Sequence, residues 1–191
     1  MTTPLIGLSG YAGSGKDAVA DALERRGWER AAFADRMREF LMLQDPSVPT
    51  PFSSPVRLSS LVRMYGWDSA KRTFPEVRAL LQRTGTEAGR GVLGEDVWVN
   101  ALLGPWDGRP LVVSDVRFPN EAQRVRDLGG VVVRVVRPGV EPGRTAHRSE
   151  TALDEWPFDA VIENSGSLGD LSRAVSKLLT WADLADHGPN V

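Results

Sequence analysis

The chain of 191 residues contains no cysteine, which excludes disulfide bonds and thiolate metal sites. It has no apolar run of the about 20 residues that a membrane-spanning helix needs, and it does not open with a signal-type segment. The formal net charge is only −2, which argues against a surface built for non-specific binding of nucleic acid. These absences predict one soluble, cytoplasmic domain spanning 1–191, with neither a membrane nor a nucleic acid polymer as partner.

Short apolar runs alternate with helical patterns along most of the chain. Runs such as Leu111–Val113 and Val131–Val133 are typical of strands buried on both faces of a sheet. Alternating strands and helices predict an α/β fold with a five-stranded parallel sheet flanked by helices. The predicted strands are Pro4–Ser9, Glu29–Ala34, Pro110–Ser114, Val131–Val136 and Asp159–Glu163. The predicted helices are Lys16–Arg26, Arg36–Leu43, Leu58–Tyr65, Glu76–Ala88, Asp96–Leu103, Asn120–Leu128 and about Leu168–Asp186, the last capped by Ser167.

The stretch 41–104 interrupts this alternation, because it contains helical and loop patterns without a strand. Its Pro- and Ser-rich part, Asp45–Pro55, is predicted to be a surface loop rather than a linker between domains. A helical insertion between the second and third strands could close over a second substrate. This arrangement is typical of a kinase rather than of a minimal binding module.

The segment Gly10–Asp17, with the sequence Gly-Tyr-Ala-Gly-Ser-Gly-Lys-Asp, follows an apolar run and precedes a helical pattern. In this context G-x-x-x-x-G-K forms a phosphate-binding loop, because glycines let backbone N–H groups turn inward at a helix N-terminus. Lys16 supplies a point charge for the β- and γ-phosphates. The alternative is a glycine turn without a ligand, which the full spacing disfavours. The segment predicts a nucleoside triphosphate site, although Asp17 stands where Ser or Thr normally reaches Mg²⁺.

A second chemical feature is the apolar strand Leu111–Ser114, which ends in Asp115. An Asp at this place in a phosphate-binding fold can hold Mg²⁺ or its water; alternatively it caps the following helix. Strand alternation puts Asp115 and Arg117 on the same side if the extended conformation continues. Pro119 then suits the first turn of the next helix. Such a pair is placed to bind a metal and a phosphoryl group together.

Gly10–Asp17 and Asp115–Ala122 together resemble the bacteriophage deoxynucleoside monophosphate kinase family, which has a P-loop ending in Gly-Lys-Asp and a DxRFxNEA-type segment. The resemblance covers nearly the whole chain, with its matches in the same order. The other matching segments are Phe33–Asp35, Leu81–Glu87, Asp96–Trp98, His147–Glu150 and Ile162–Ser167. It implies a P-loop kinase fold with a helical acceptor-binding insertion, an arginine-rich lid over about 137–150, a homodimer, and the host cytoplasm if a phage encodes the chain.

The reaction that the resemblance implies is transfer of the γ-phosphoryl group of ATP to a deoxynucleoside 5′-monophosphate, for the supply of DNA precursors. Asp17 and Asp115 are then candidates for Mg²⁺, directly or through water, because carboxylates are hard oxygen ligands. Asn164 and Gly166 lie where this fold often receives the adenine. The ATP-binding candidates are Gly10, Ala12, Gly13, Ser14, Gly15, Lys16, Asp17, Asn164 and Gly166.

On the acceptor side, Asp35 follows the second predicted strand and is a candidate substrate-binding or proton-accepting carboxylate; alternatively it caps a helix. Arg83 and Arg90 are candidate clamps for the monophosphate, because guanidinium forks match phosphate oxygens; the alternative is a solvated helix face. Trp98 could frame the acceptor nucleoside or could be ordinary core. The other framing candidates are Glu87, Asp96 and Asn100.

The arginine-rich segment after the fourth strand predicts a mobile lid that brings positive charge over the phosphates. Arg137 and Arg148 join Lys16, Arg117 and Asp35 as the catalytic candidates, and an exposed basic loop is the alternative. Within the same segment Arg144 is a weaker candidate, and His147 is expected to be a structural hydrogen-bond partner.

Other functions share the P-loop. One is another small-molecule kinase, such as a phosphomevalonate or dephospho-coenzyme A kinase, because Gly-Lys-Asp loops are not confined to nucleotide kinases. The other is a nucleotide-binding switch or motor ATPase. The chain has no Asn-Lys-x-Asp segment specifying guanine and no extended basic surface, which weakens the second alternative. The segment Asp115–Ala122 favours the nucleotide kinase over the first.

Overall fold

A computed structural model describes residues 4–51, 54–141 and 148–185, with the backbone alone at 148, 149 and 183–185. The chain folds into two compact units, which we call the sheet unit (Met1–Ala32 with Trp106–Val191) and the helical unit (Phe33–Pro105). None of the described helices is long and apolar enough to span a bilayer. The elements in chain order are β1 (Leu5–Ser9), α1 (Lys16–Glu24), β2 (Glu29–Ala31), α2 (Phe33–Gln44), β3 (Ser47–Val48), β4 (Val56–Arg57), α3 (Leu58–Thr73), α4 (Pro75–Gln82), a π-helix (Arg83–Leu93), α5 (Val97–Leu103), β5 (Leu111–Val113), α6 (Pro119–Asp127), β6 (Val131–Val136), α7 (Arg148–Thr151), β7 (Ala160–Glu163) and α8 (Leu168–Ala185).

The sheet unit is built on a parallel sheet in the order β2-β5-β1-β6-β7. β1 is the central strand, all five of its residues are buried, and it pairs with β5 on one side and β6 on the other. The α/β class and the five-stranded parallel sheet flanked by helices are therefore confirmed. Because the strands are parallel, their carboxyl ends lie at one edge, and the Gly10–Asp17 loop begins there.

Both faces of the sheet are covered. On one face Ile6 and Leu8 pack with Val19 and Leu23 of α1 and with the apolar stripe of α8. Gly7 faces the other way, where a Cβ would lie 3.3 Å from Val125 of α6. As predicted, Ser167 caps α8: its hydroxyl accepts a hydrogen bond from the Asp170 N–H, and the Asp170 carboxylate accepts one from the Ser167 N–H at 2.8 Å.

The second strand is shorter than predicted. β2 ends at Ala31, opposite Val113, the last residue of its partner strand β5. The chain turns into α2 from Phe33 onward, so Asp35 lies in the first turn of that helix rather than at the end of a strand. The prediction of a strand reaching Ala34 is wrong.

The helical unit has an apolar core of its own, with Leu58 and Val77 fully buried. The expectation that 41–104 contains no strand is wrong: β3, inside the predicted loop Asp45–Pro55, pairs antiparallel with β4, and its Val48 is buried. The surrounding prolines lack the N–H that a longer ladder would need. The core residues are Leu41, Val48, Leu58, Leu61, Ala70, Phe74, Val77 and Leu81.

Two predicted helices of the helical unit can be compared with the observed ones. α3 extends to Thr73, but its backbone leaves the helical conformation at Gly66, with φ of 70° and ψ of 161°, so the predicted helix end at Tyr65 coincides with this break. The helix predicted over Glu76–Ala88 is α-helical only to Gln82 and continues as the π-helix. A Cβ at Gly89 would lie 2.7 Å from the Trp98 indole, so glycine is what lets this ring approach the π-helix.

Candidate active site

The loop Gly10–Gly15 connects the central strand to the N-terminus of α1. Gly10 has φ of 140°, and a Cβ there would lie 2.3 Å from the Val135 carbonyl oxygen of the neighbouring strand. Only glycine therefore lets the chain leave β1 in this direction. Ala12 and Gly13 are exposed at the crest of the loop, while the Ser14 side chain is buried beneath it.

Lys16 closes the loop. Its Nζ donates hydrogen bonds to the carbonyl oxygens of Gly10 at 2.6 Å and Tyr11 at 2.9 Å. Burial, and secondarily the charge of Arg117, lower the pKa of Lys16, while the negative charges of nearby residues oppose this shift. An ammonium group that is partly desolvated at a helix N-terminus is poised for an anionic ligand. The residues with those negative charges are Asp17, Asp115 and Glu150.

Asn164 supports the loop from the end of β7. Its side-chain amide donates a hydrogen bond to the Ser14 carbonyl oxygen at 3.0 Å, and its backbone N–H donates to the Val136 carbonyl oxygen at 2.7 Å. A Cβ at Gly15 would lie 2.2 Å from the Asn164 amide nitrogen, so the absence of a side chain at Gly15 permits this contact. The structure thus brings Asn164 to the loop, whereas Gly166 lies in the exposed turn before α8.

The segment after β5 returns to the same edge of the sheet. Asp115 is half-buried and Arg117 is exposed. The backbone N–H groups of Arg117 and Phe118 both donate to the Glu121 carboxylate, at 2.7 and 3.0 Å. Glu121 is only 5% exposed, so this buried carboxylate holds the turn that carries Asp115 and Arg117.

Glu121 was missed in the sequence, although its signal was present. It is the third residue of α6, where a glutamate reaches back to the backbone N–H of the capping position. That position is Phe118 rather than Asp115, so the capping alternative raised for Asp115 does not apply to α6.

The Asp17 side chain takes part in an ion pair within the protein. It lies in the first turn of α1 with an exposed side chain, and its carboxylate pairs with the Arg30 guanidinium of β2. Arg30 also donates to Asp21 at 2.8 Å, one turn further along α1. Arg30 therefore ties the beginning of α1 to β2 through the residue at the Mg²⁺ position of the motif.

The remaining acceptor candidates belong to the helical unit. Asp35 pairs with Arg38 at 3.0 Å on α2. The Trp98 indole N–H donates to the Gly85 carbonyl oxygen at 3.0 Å, and its ring packs edge-on against Phe40 at 6.3 Å between centroids. On the π-helix, Arg83 and Glu87 are exposed and Arg90 is half-buried.

The predicted lid is only partly described. Arg137 is exposed directly after β6, and its carbonyl oxygen accepts a hydrogen bond from the Val140 N–H. Arg148 begins α7, with its backbone alone described. Arg144 and His147 lie outside the described residues.

A glycine-rich loop that runs from the central strand of a parallel sheet into a helix, with a lysine at its end, defines the P-loop class of phosphate-binding proteins. The chain belongs to the deoxynucleotide monophosphate kinase family, whose model matches residues 68–175, more than half of the chain. It is therefore a kinase that phosphorylates nucleoside monophosphates, and the resemblance found in the sequence is confirmed.

One relative extends the match over nearly the whole chain. A protein of Acanthamoeba polyphaga mimivirus, named provisionally as a deoxynucleotide monophosphate kinase, is 29% identical over 96% of this chain and 98% of its own length. The deoxynucleotide monophosphate kinase of Escherichia phage RB69 is 31% identical over 54% of this chain and 44% of its own length. Among solved structures, a Campylobacter jejuni dephospho-CoA kinase covers 96% of this chain and 98% of its own, at a TM-score of 0.46 and 14% identity, too distant to bear on activity.

Proposed function

We propose that this kinase transfers the γ-phosphoryl group of ATP to a deoxynucleoside 5′-monophosphate. An oxygen of the acceptor phosphate attacks the γ-phosphorus, the bond from that phosphorus to the β,γ-bridging oxygen breaks, and ADP and a deoxynucleoside diphosphate leave. The observation that carries the proposal is the partly desolvated Lys16 at the P-loop, with the charges of Asp115 and Arg117 beside it, in a member of this family.

The donor side consists of the loop and the beginning of α1. The N–H groups of Gly13, Ser14, Gly15 and Lys16 surround the β- and γ-phosphates, and the α1 N-terminus adds its partial positive charge. Phosphoryl transfer needs alignment and charge neutralisation more than covalent help from the protein. Asn164 contributes through the Ser14 carbonyl oxygen that it holds. Gly10, Ala12 and Gly166 complete the proposed donor site.

Mg²⁺ belongs with the donor, and Asp17 and Asp115 are the residues that would hold it. Their negative charges raise the pKa of Lys16, against the lowering effect of its burial. Mg²⁺ keeps several waters and takes one or two carboxylates besides phosphate oxygens, which this pair can supply. Across the described ranges no group of three or more His, Cys, Asp or Glu side chains could hold a metal ion. When bound, the ion would neutralise phosphate charge.

The transferred group itself carries negative charge on its equatorial oxygens, and arginines are suited to stabilise it. We assign this role to Arg117, Arg137 and Arg148. Support comes from Arg117, whose charge acts on Lys16 and whose backbone the buried Glu121 holds in place.

The acceptor nucleotide is assigned to residues of the helical unit. Arg83 and Arg90 would clamp the monophosphate, and Asp35 would bind the acceptor or take a proton from it. Glu87 and Trp98 would contact the nucleoside. The Trp98 ring is held in one orientation by Gly85 and Phe40, which suits a flat contact surface.

A panel of acceptors tests the function directly. ADP release would be measured with ATP and Mg²⁺ against dAMP, dGMP, dCMP, dTMP and their ribonucleotide counterparts. We expect turnover with at least one deoxynucleotide and less with the matching ribonucleotide. Turnover only with dephospho-coenzyme A or phosphomevalonate would overturn the assignment, as would an ATPase activity that ignores every monophosphate and rises with DNA.

A further inference from the structure

Tyr11, the second residue of the P-loop, is the centre of a polar cluster that the reaction scheme leaves unexplained. Its hydroxyl donates a hydrogen bond to the Asp154 carboxylate at 2.8 Å, between α7 and β7. Arg134 of β6 donates to the same carboxylate oxygen at 3.0 Å. The Arg134 guanidinium also lies 5.2 Å from the centroid of the Tyr11 ring, so each of the three residues contacts the other two. We call these three residues the Tyr11 cluster.

The cluster is tied to its surroundings on the side away from the loop. The Arg134 guanidinium lies 5.2 Å from the centroid of the Phe158 ring and donates to the Leu153 carbonyl oxygen at 3.4 Å. Burial, and then the Asp154 carboxylate, raise the pKa of Tyr11, so its hydroxyl keeps the proton that it donates. Tyr11 is therefore anchored to the strand that neighbours β1 and to the segment before β7.

The backbone of the same residue carries the internal hydrogen bonds of the loop. The Tyr11 carbonyl oxygen accepts from the Ser14 N–H at 3.1 Å and from the Lys16 ammonium at 2.9 Å. A shift of Tyr11 thus displaces both the turn that aims the loop amides and the charge at its end. Phosphate binding depends on these positions within fractions of an ångström.

We propose that Tyr11, Asp154 and Arg134 are positioning residues that hold the P-loop in its phosphate-binding conformation and so set the affinity for the donor nucleotide. The proposal rests on ATP being the donor. The cluster is a surface feature, with side-chain exposures of 20% for Arg134 and 34% for Asp154, and pairs at such positions contribute little to global stability. Its main effect is therefore expected on binding rather than on folding.

The chain offers a matched control with the same chemistry. Arg126 of α6 donates to the Asp159 carboxylate at 2.8 Å, and its guanidinium lies 5.0 Å from the centroid of the Trp156 ring. This Arg–Asp–aromatic cluster holds the other end of the same segment but includes no residue of the P-loop. Replacing Arg126 should therefore leave nucleotide affinity unchanged.

The experiment measures ATP binding by calorimetry on the full chain, with melting temperature alongside. Tyr11→Phe and Arg134→Gln are expected to raise the Kd for ATP about five- to tenfold, because each removes a hydrogen bond to a charged carboxylate. Arg126→Gln should keep the wild-type Kd. Tyr11→Phe should melt within about 2 °C of wild type, and KM for ATP should rise while KM for the monophosphate stays unchanged.

Coupling within the cluster is tested by a double-mutant cycle. Asp154→Ala should weaken ATP binding at least as much as Tyr11→Phe, and the double variant should bind ATP no more weakly than Asp154→Ala alone, because both substitutions remove the same hydrogen bond. An ATP Kd of Tyr11→Phe within about twofold of wild type, or equal losses in Arg126→Gln and Arg134→Gln, would overturn the proposal. A wild-type chain that binds no ATP would instead overturn the proposed function, and this inference with it.

Discussion

In the described residues, the sheet unit has ion pairs that join separate elements, in addition to a local pair of Asp170 with Arg173 on α8. In the sheet unit Arg30, Arg126 and Arg134 each pair with a carboxylate on another element or on the loop beside one. In the helical unit three ion pairs join residues three apart on one helix. Pairs of the first kind fix how elements and loops lie, whereas pairs of the second kind support a single helix by a few tenths of a kcal/mol, about 0.2–0.5. The difference suggests that polar contacts position the site in the sheet unit, while apolar packing maintains the helical unit.

Among the variants that test this comparison, we expect the largest effect from Lys16→Ala. Its ammonium donates hydrogen bonds to loop carbonyls and is partly desolvated, so its loss should cost little stability. We expect kcat to fall about 10²- to 10³-fold, because a preorganised positive group at the phosphates is removed. Steady-state kinetics and thermal melting would check this.

Lys71→Ala is the matched control, since Lys71 pairs with Asp68 at 2.8 Å within α3. It should keep wild-type turnover. Substantial turnover by Lys16→Ala would remove Lys16 from the site and with it the contrast between the units.

Leu58→Ala tests the helical unit. Leu58 is fully buried in the core of that unit, and truncation should lower the free energy of unfolding by about 2–5 kcal/mol. Hydrogen exchange should rise in α3 and α4 while β1 stays protected. Leu8→Ala, in the core of the sheet unit, should give the reverse pattern. Equal loss of protection throughout both variants would show that the two cores unfold as one, contrary to the comparison.

Arg117→Ala asks whether an exposed arginine of the sheet unit acts on the substrate. Because Arg117 is held through its backbone rather than by core packing, stability should be unchanged. We expect kcat to fall about 10²-fold and acceptor use to suffer more than ATP binding. Arg109→Ala is the control, since Arg109 is exposed and pairs with Asp107 and Glu29. Acceptor kinetics that match those of the control would exclude Arg117 from the site.

Comparing Gly15→Ala with Gly27→Ala distinguishes the effect of a changed loop geometry on ATP binding from the effect of backbone strain on stability. Both glycines have positive φ, 99° and 88°, so each substitution should cost about 1–2 kcal/mol of stability. Only at Gly15 would the new Cβ meet a neighbour, the Asn164 amide at 2.2 Å. Gly15→Ala should therefore also raise the Kd for ATP, by about tenfold, as expected when a charged ligand loses well-placed donors. Similar ATP affinity in the two variants would mean that the Asn164 contact is irrelevant to binding.

The P-loop illustrates what could be predicted from sequence. Its glycines, its lysine and the flanking elements are local, so their spacing alone predicted the strand, the turn and the helix start. The antiparallel pairing of Val48 with Val56 could not be predicted, because it depends on the core that buries Val48. The change to a π-helix after Gln82 depends likewise on packing, since the Trp98 ring occupies the space beside Gly89.

The sequence by itself determined the class of site, because a phosphate-binding loop is built from backbone groups whose conformation depends on nearby glycines. It also determined the family, through Asp115–Ala122 and the order of the other motifs. Only the tertiary structure decided that Asn164 supports Ser14 and that Arg134 and Asp154 anchor Tyr11. These contacts join residues from separate strands and loops, and the order of strands in the sheet sets which of them meet.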